Sequence, residues 1–337
     1  MRQFDPVDSP DATTIFPYHD LTPPGPSDVY EARPIVNRYL PKTPLVQSEM
    51  LSAEMDAEVY LKREDTLPTG AFKVRGGVTL GHRLPEEFRE AGLIAASTGN
   101  HGQSVAFAGR TFDVPVTIAV PGDPNPEKVA AMERFGAEVV PQGEDYDDAR
   151  EWAERKAAED GLRYVHSANE PDLVAGVGTA GLEVLDELPE VDRVVSPVGG
   201  GSGAAGYCLT VGAIGDAEVI GVQSDAADAT YRAYHEGHLD PQESLSTEAE
   251  GIASRAPFAL TVELMRERLD DLVRVPEEDI WETVHDVLAE ERLVIEGASA
   301  SAIAALRRMD VAGETVVVPV TGRKLSSAKL HRAVGGD

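Results

Sequence analysis

The stretch Pro68-Thr69-Gly70-Ala71-Phe72-Lys73-Val74-Arg75-Gly76-Gly77 places a lysine between a predicted turn and the start of a predicted helix. Phe72 and Val74 flank Lys73, so the stem of the lysine can be buried. Burial disfavours the ammonium form and lowers the pKa, which leaves a neutral amine able to attack an aldehyde. Taken alone, the stretch also fits an ordinary surface lysine, although the chain has only seven lysines.

A second polar turn, Ser97-Thr98-Gly99-Asn100-His101-Gly102, lies between a predicted strand and a predicted helix. Backbone N–H groups in such a turn, and the N-terminus of the next helix, suit an anion such as a substrate carboxylate. Thr98 and Asn100 add side-chain donors. The same residue types also cap helices, and His101 can be a base or a structural residue, so the turn alone leaves both interpretations open.

A glycine-rich stretch, Gly199-Gly200-Gly201-Ser202-Gly203-Ala204-Ala205-Gly206, follows a further predicted strand. Glycines allow the backbone to close around a phosphate, whose charge the N-terminus of the next helix favours. No Lys-Ser/Thr pair follows, which excludes a Walker loop, and the register of a dinucleotide fingerprint is missing. A tight turn without a ligand is the alternative interpretation.

The order of predicted elements favours an α/β fold built mainly from parallel strands. Strands are predicted at residues 58–61, 93–96, 116–120, 138–140, 193–197, 218–222 and 315–320. Helices are predicted at residues 102–111, 126–135, 146–160, 176–187, 203–213 and 298–309. Asn125 and Gly136 are predicted to bound one helix, and Asp145 and Gly161 the next. The last strand ends at Thr321, at the carboxyl edge of the sheet, where ligands bind.

Length and composition narrow the class of protein. With 337 residues the chain is long enough for two domains. No apolar run is long enough to span a bilayer, and the acidic N-terminus is not a secretory signal. The single cysteine, Cys208, allows no internal disulfide. We therefore expect a cytoplasmic protein.

The charge is strongly acidic, with 59 Asp and Glu against 30 Lys and Arg and a net charge of −29. This charge repels nucleic acid and anionic membranes, so neither is an expected partner. The simplest interpretation is a solvated acidic surface. A surface poor in lysine and rich in carboxylates suits a cell with molar salt, where self-repulsion is screened. We therefore expect a halophilic source.

Together and in this order, these stretches resemble the fold-type II pyridoxal-phosphate family, in its threonine dehydratase and serine racemase branch. Residues 68–76 are similar to the family's Schiff-base lysine segment. Further stretches agree with the dehydratase branch: Lys42-Thr43-Pro44-Leu45, Asn125-Pro126-Glu127-Lys128-Val129-Ala130-Ala131, Phe135-Gly136-Ala137-Glu138, Ala175-Gly176-Val177-Gly178-Thr179-Ala180-Gly181, Glu250-Gly251-Ile252-Ala253 and Glu296-Gly297-Ala298-Ser299-Ala300. The resemblance covers residues 30–330. It implies pyridoxal 5'-phosphate as cofactor and a two-lobed, tryptophan synthase β-like fold with mainly parallel twisted sheets and helices on both faces.

The resemblance also implies roles for individual residues. Lys73 forms the Schiff base and exchanges the Cα proton, and Phe72 packs beside the cofactor. Asn100 contacts the ring hydroxyl, and Thr321 faces the pyridine nitrogen, which a neutral hydroxyl keeps largely unprotonated. The substrate carboxylate is received by Ser97, Thr98, Gly99, Asn100 and His101. The cofactor phosphate is held by Gly199, Gly200, Gly201, Ser202 and Gly203.

The chain departs from the family pattern at several positions. Ala71 stands where these enzymes often have Ser, and Ser202 replaces one loop Gly. Thr98 stands where serine racemase has the Ser that acts as acid and base on the opposite face, which leaves racemase activity open. Gln223 and Ala229 replace carboxylates of the metal-dependent members, so we expect no metal site. No residues beyond 337 remain for a C-terminal regulatory domain.

We expect residues 1–30 to form an irregular arm, residues 31–89 with 169–337 a large cofactor-binding domain, and residues 90–168 a small mobile domain. The site should lie between the two domains and take a small amino-acid substrate. The family usually forms dimers or tetramers, so we expect a homo-oligomer of one of these kinds.

The expected reaction is α,β-elimination from threonine or serine, which gives a 2-oxo acid and ammonia. Alternatives on the same scaffold are threonine synthase, a serine or aspartate-type racemase and a hydroxyaspartate dehydratase. Threonine synthase is disfavoured because its lysine segment usually continues with Asp-Arg-Gly, where this chain has Val74-Arg75-Gly76. Two alternatives from other classes are a non-catalytic binder of a phosphorylated ligand, which has no use for Lys73, and an NAD-dependent dehydrogenase, which only the glycine-rich stretch supports.

Overall fold

The computed structural model describes residues 22–237, 239–242 and 245–335. Within these residues, ten strands form two sheets. The larger sheet has the order β1-β2-β10-β7-β8-β9 and the smaller one the order β5-β4-β3-β6. The strands are β1 Leu45–Gln47, β2 Glu58–Lys62, β3 Leu93–Ala96, β4 Val116–Val120, β5 Glu138–Pro141, β6 Arg163–Tyr164, β7 Arg193–Pro197, β8 Glu218–Ser224, β9 Asp271–Val275 and β10 Thr315–Pro319.

Among the described strands, all pairs run parallel except β1 with β2. The central strands are apolar along their whole length rather than on alternate residues. All four residues of β3 are buried, as are the last four of β10. A parallel strand covered by helices on both faces has this pattern. The predicted α/β fold with mainly parallel sheets is confirmed.

Fourteen α-helices connect and cover the strands in the described part of the chain. They are α1 Pro26–Tyr39, α2 Glu49–Met55, α3 Val74–Arg83, α4 Glu86–Ala91, α5 Asn100–Phe112, α6 Pro126–Glu133, α7 Tyr146–Asp160, α8 Pro171–Glu187, α9 Ser202–Tyr207, α10 Ala229–Glu236, α11 Ala259–Arg268, α12 Glu277–Glu290, α13 Gly297–Leu306 and α14 Ser327–Ala333. None of the helices described is long and apolar enough to span a bilayer.

Helix ends in the smaller sheet region follow the predicted capping. The Asn125 side chain accepts a hydrogen bond from the Glu127 amide, and that of Asp145 accepts one from the Asp148 amide. Gly161 ends α7 with a positive φ of 70°, a conformation that glycine adopts without strain. The prediction for Gly136 was inexact, because α6 already ends at Glu133.

Several elements were missed or differ. The short or half-charged strands β1, β6 and β9 were not predicted, since they lack a long apolar run. The helix predicted at residues 203–213 is α-helical only in its first part, which belongs to α9. A π-helical turn, Cys208–Gly212, follows it. Residues 1–21 of the predicted arm lie outside the described residues. Residues 26–30 are helical, not irregular, because Pro26 opens α1 with its preset φ.

Helix α3 carries Lys73 at its N-cap position and packs between α5 and α8. Close packing explains two of its three glycines, Gly76 and Gly77. A Cβ at Gly76 would lie 2.8 Å from the Leu173 carbonyl oxygen, and one at Gly77 would lie 2.7 Å from that of Ser104. The helix therefore contacts elements of both sheet regions and places Lys73 where the carboxyl ends of the strands converge.

Candidate active site

One cavity of about 470 Å³ is lined by all four stretches singled out in the sequence. Lys73 and Phe72 contribute from the start of α3, and Thr321 follows β10. The predicted residues that line it are Phe72, Lys73, Ser97, Thr98, Gly99, Asn100, His101, Gly199, Gly200, Gly201, Ser202, Gly203 and Thr321. The fold thus brings together every residue predicted for the site. Its size suits a small cofactor with a small substrate.

The Lys73 side chain is half-buried, and its Nζ donates to the Ser167 carbonyl oxygen and the Ser202 Oγ, each at 3.0 Å. Within the described residues, no charged partner offsets the burial of this amine. Desolvation by burial lowers the pKa of Lys73 to about 8. A fraction of the amine is therefore neutral near pH 7, as nucleophilic attack on an aldehyde requires.

The turn after β3 is organised by Ser97. Its Oγ accepts hydrogen bonds from the amides of Gly99, at 3.1 Å, and Gly102, at 3.0 Å. A Cβ at Gly99 would meet nothing within 4 Å, so the backbone is open towards the cavity there. Thr98, Asn100 and His101 line the cavity, and the first amides of a helix such as α5 lack intrahelical partners, an arrangement that suits an anion.

His101 is neutral in this setting. Desolvation by burial, with the nearby Lys73 charge, lowers the pKa of His101 to about 3. Its Nε2 lies 2.9 Å from the Val165 carbonyl oxygen, a contact in which the nitrogen donates. Nδ1 then carries a lone pair, and it has no hydrogen-bond partner among the described residues. These contacts favour the structural interpretation of this residue over that of a general base.

The glycine-rich loop after β7 is packed too tightly for side chains. A Cβ at Gly200 would lie 3.0 Å from that of Ala168, and one at Gly201 would lie 2.9 Å from the Thr261 Oγ1. Gly201 also has a φ of +86°, which favours glycine. The loop leads into the first turn of α9, whose amides have no intrahelical partner and suit a phosphate.

Two contacts support the polar residues from behind. The Asn100 Nδ2 donates to both carboxylate oxygens of Glu296, at 2.9 and 3.2 Å. The Thr321 Oγ1 lies 3.1 Å from the Ser299 Oγ. The segment that holds Glu296 and Ser299 contributes to the family resemblance, but the sequence predicts no role for either residue. Both lie at the beginning of α13, where no local pattern reveals which strand end they face.

Lys324 also lines the cavity, and its role was not predicted from the sequence. Its Nζ contacts the Gln103 Oε1, and desolvation by burial lowers the pKa of Lys324 to about 8. Its backbone amide donates to the Glu296 Oε2 at 3.3 Å. The scarcity of lysine, together with its position three residues after Thr321, was the available signal.

The mouth of the cavity is bridged by ion pairs between the two sheet regions. Asp147 at the start of α7 pairs with Arg255, and Lys128 of α6 pairs with Glu250. Glu250 also pairs with Lys329 at 2.8 Å. These ion pairs therefore connect residues that line the cavity from the two sheet regions. No cluster of metal-ligating side chains was found in the ranges described.

Comparisons with known proteins agree with this geometry. Residues 36–322 match the family described as pyridoxal-phosphate dependent enzyme. An L-threonine ammonia-lyase of Thermotoga maritima is 36% identical over 309 residues, which cover 91% of this chain and 77% of the relative. Threonine deaminase isoform 2 from Solanum lycopersicum superposes with a TM-score of 0.87 at 30% identity and covers 92% of this chain and 91% of its own. Serine racemase from Dictyostelium discoideum has a TM-score of 0.83 at 26% identity, with coverages of 90% and 99%.

Proposed function

The chain belongs to the family of pyridoxal-phosphate dependent enzymes, and we propose that it is an ammonia-lyase that converts L-threonine or L-serine to a 2-oxo acid and ammonia. The observation that carries the proposal is the half-buried amine of Lys73, which lies in one cavity with two loops suited to anions. Relatives named L-threonine ammonia-lyase, one of them 36% identical, support the choice of reaction.

The residues present fit the cofactor. Its phosphate matches residues 199–203, where glycine backbone replaces side chains that would collide with Thr261 and Ala168. Its aldehyde needs an amine with a lowered pKa, which Lys73 supplies. When bound, pyridoxal phosphate supplies the aldehyde for a Schiff base and a ring that takes up electrons from the substrate Cα.

In the proposed assignment, Lys73 takes the substrate's Cα proton, and the amides at residues 97–101 bind the substrate carboxylate. Asn100 donates towards the ring hydroxyl, and Thr321 faces the ring nitrogen. The Phe72 amide donates to the Thr321 carbonyl oxygen at 2.9 Å, a bond that would keep its ring beside a bound cofactor. Together these residues would orient the Cα–H bond of the substrate towards the Lys73 amine.

We further infer that residues 90–168 form a small mobile domain that closes on a large domain of residues 31–89 and 169–337. The separation of the two sheets supports this division. The pairs Asp147–Arg255 and Lys128–Glu250 would hold the closed state. Closure excludes water, which protects the reactive enamine product until release.

The test starts with purified protein reconstituted with pyridoxal phosphate in molar salt. Addition of L-threonine and L-serine should shift the visible absorption band and release 2-oxo acid, detected with lactate dehydrogenase or a hydrazine reagent. Borohydride reduction followed by peptide mapping should place the cofactor on Lys73. Absence of 2-oxo acid from every hydroxy-amino acid tried, threo-3-hydroxyaspartate included, would refute the lyase.

Racemisation is a second candidate because Thr98 lines the cavity and carries a hydroxyl. A racemase needs a second acid or base on the face of the Cα opposite Lys73. Chiral chromatography of serine after incubation separates the two activities. D-serine formed without 2-oxo acid would replace the lyase by a racemase.

We also propose that the enzyme works in a halophilic cytoplasm as a dimer or tetramer. The net charge of −29 supports the salt requirement, since counterions screen carboxylate repulsion. Stability should therefore rise with potassium chloride between 0.1 and about 2 M. Full folding in low salt, measured by circular dichroism, would contradict it, and light scattering gives the oligomeric state.

A further inference from the structure

Ser299 makes an unusual set of contacts at the end of β10. Its Oγ lies 3.1 Å from the Thr321 Oγ1 and 3.1 Å from the Gly322 carbonyl oxygen. It also accepts a hydrogen bond from the Gly322 amide at 3.2 Å. Ser299 is buried and is not among the cavity-lining residues, whereas Thr321 lines the cavity. Ser299 can therefore reach a ligand only through Thr321.

The hydrogen of the Ser299 hydroxyl determines whether the Thr321 hydroxyl can donate a hydrogen bond towards the cavity. The Ser299 hydroxyl has one hydrogen and two acceptors within reach, the Gly322 carbonyl oxygen and the Thr321 Oγ1. The Gly322 carbonyl already accepts the Glu296 amide at 3.0 Å. If Ser299 donates to Thr321, no buried group loses its partner, and the hydrogen of Thr321 turns to the cavity.

The opposite arrangement would have Thr321 donate to Ser299 and present only lone pairs to the cavity. A nitrogen heterocycle bound there would then have to carry a proton on its ring nitrogen. With Thr321 as donor, the same nitrogen keeps its lone pair. A hydrogen bond to the neutral form favours that form and lowers the pKa of the nitrogen.

We propose that Ser299 is a positioning residue that holds the Thr321 hydroxyl as a hydrogen donor towards the cavity, so that a bound pyridine nitrogen stays unprotonated. The proposal rests on the proposed function, because it takes Thr321 to face the cofactor ring. An unprotonated ring withdraws electrons less strongly, which suits elimination over prolonged accumulation of a carbanion.

A second serine on the same helix gives the contrast. Ser301 is as deeply buried as Ser299, but its Oγ donates to the Ala298 carbonyl oxygen at 2.8 Å within α13. Such back-bonding within a helix is the ordinary behaviour of a buried serine. Ser299 instead contacts Thr321 and Gly322, which follow β10. Substitution of Ser301 is therefore a matched control for substitution of Ser299.

The test is the ¹⁵N chemical shift of pyridoxal phosphate labelled at the ring nitrogen and bound to the Ser299→Ala variant, followed from pH 6 to 9. The expected result is a shift towards the protonated form, with the apparent pKa of the nitrogen raised by about one unit, since one hydrogen bond is lost. Ser301→Ala should leave the shift at the wild-type value. Ser299→Cys, which keeps the size but donates weakly, should give an intermediate value.

Two outcomes overturn the proposal: an unchanged shift in Ser299→Ala, or an equal change in Ser301→Ala. If Ser299→Ala does not fold, Ser299→Cys decides, and an unchanged shift there overturns the proposal as well. Borohydride trapping in the wild-type protein keeps the two hypotheses apart. Label trapped on Lys73 with an unchanged shift refutes only the role of Ser299, whereas no trapped label refutes the proposed site itself.

Discussion

Lys73 and Arg75 lie two residues apart at the start of α3, but their partners differ in charge. The Arg75 guanidinium bonds to carboxylates, whereas the Lys73 amine contacts neutral oxygens. Arg75 is fully buried and bonds to Glu64, at 2.6 and 2.8 Å, and to Glu183, at 2.8 and 2.9 Å. Lys62 joins the same cluster through Glu183 at 2.7 Å. Within the described residues, the hydrogen-bond partners of the Lys73 amine are two neutral oxygens.

The difference appears in the pKa values. Burial alone would raise the pKa of Glu183, but its bonds to Arg75 and Lys62 lower it to about 2. Burial lowers the pKa of Lys73 to about 8, and no carboxylate bond reverses the effect. Lys62, Glu64, Arg75 and Glu183 are here called the buried ion cluster. Within it, carboxylate partners raise the pKa of Arg75 despite its burial, so Arg75 and Glu183 keep their charges. The cavity keeps its amine able to change charge.

The largest expected effect is the loss of activity on substitution of Lys73. Lys73→Ala should lower 2-oxo acid formation by at least about 10³-fold, since both the Schiff base and the general base are lost. The fold should survive because no ion pair is broken. Activity assays combined with thermal unfolding measure both. Lys156→Ala, which removes a lysine from the exposed face of α7, is the control and should keep full activity. Substantial 2-oxo acid formation by Lys73→Ala would show that the Lys73 amine is not the reactive group.

On the structural side, Arg75→Met should destabilise the fold by about 3–5 kcal/mol, because Glu64 and Glu183 are left buried without their cation. Urea unfolding in molar salt measures the loss. Arg38→Met, at an exposed position of α1, should change the stability by less than about 0.5 kcal/mol. If Arg75→Met and Arg38→Met lower the free energy of unfolding equally, the buried ion cluster does not stabilise the fold as its hydrogen-bond distances indicate.

The smallest expected effect is a pH dependence of stability in the cofactor-free protein. The unfolded chain keeps the proton on Lys73 up to its ordinary pKa of 10.5, but the folded chain only up to about 8. Between these values the unfolded state binds more protons, so the free energy of unfolding rises with pH. Below pH 8 wild type should therefore be less stable than Lys73→Met, by roughly 1 kcal/mol per unit of lowered pKa.

Urea unfolding of both proteins at pH 7, 9 and 10.5 checks this expectation. The difference between wild type and Lys73→Met should shrink as pH rises, whatever the other groups contribute. A difference that stays constant with pH would mean that the amine is not desolvated.

Parts of the fold with a strong local signal were predictable. Strand β3 and helix α7 have the predicted bounds because an apolar run defines one, and Asp145 and Gly161 define the other. Strands β6 and β9 were not predicted, because they are strands through pairing with β3 and β8 rather than through their own sequence pattern. The start of helix α1 was not predicted, because the proline content of residues 1–30 as a whole indicates an irregular arm.

In the site, the sequence by itself predicted a set of residues that line one cavity, because glycines, a flanked lysine and strand-end hydroxyls are local features of a chain. It also determined the acidic surface. Only the tertiary structure decided what stands behind these residues: Glu296 against Asn100, Ser299 against Thr321, and Arg75 between two carboxylates. Such contacts join segments up to 196 residues apart in the chain. Their partners are chosen by packing of the two sheet regions, which no local pattern encodes.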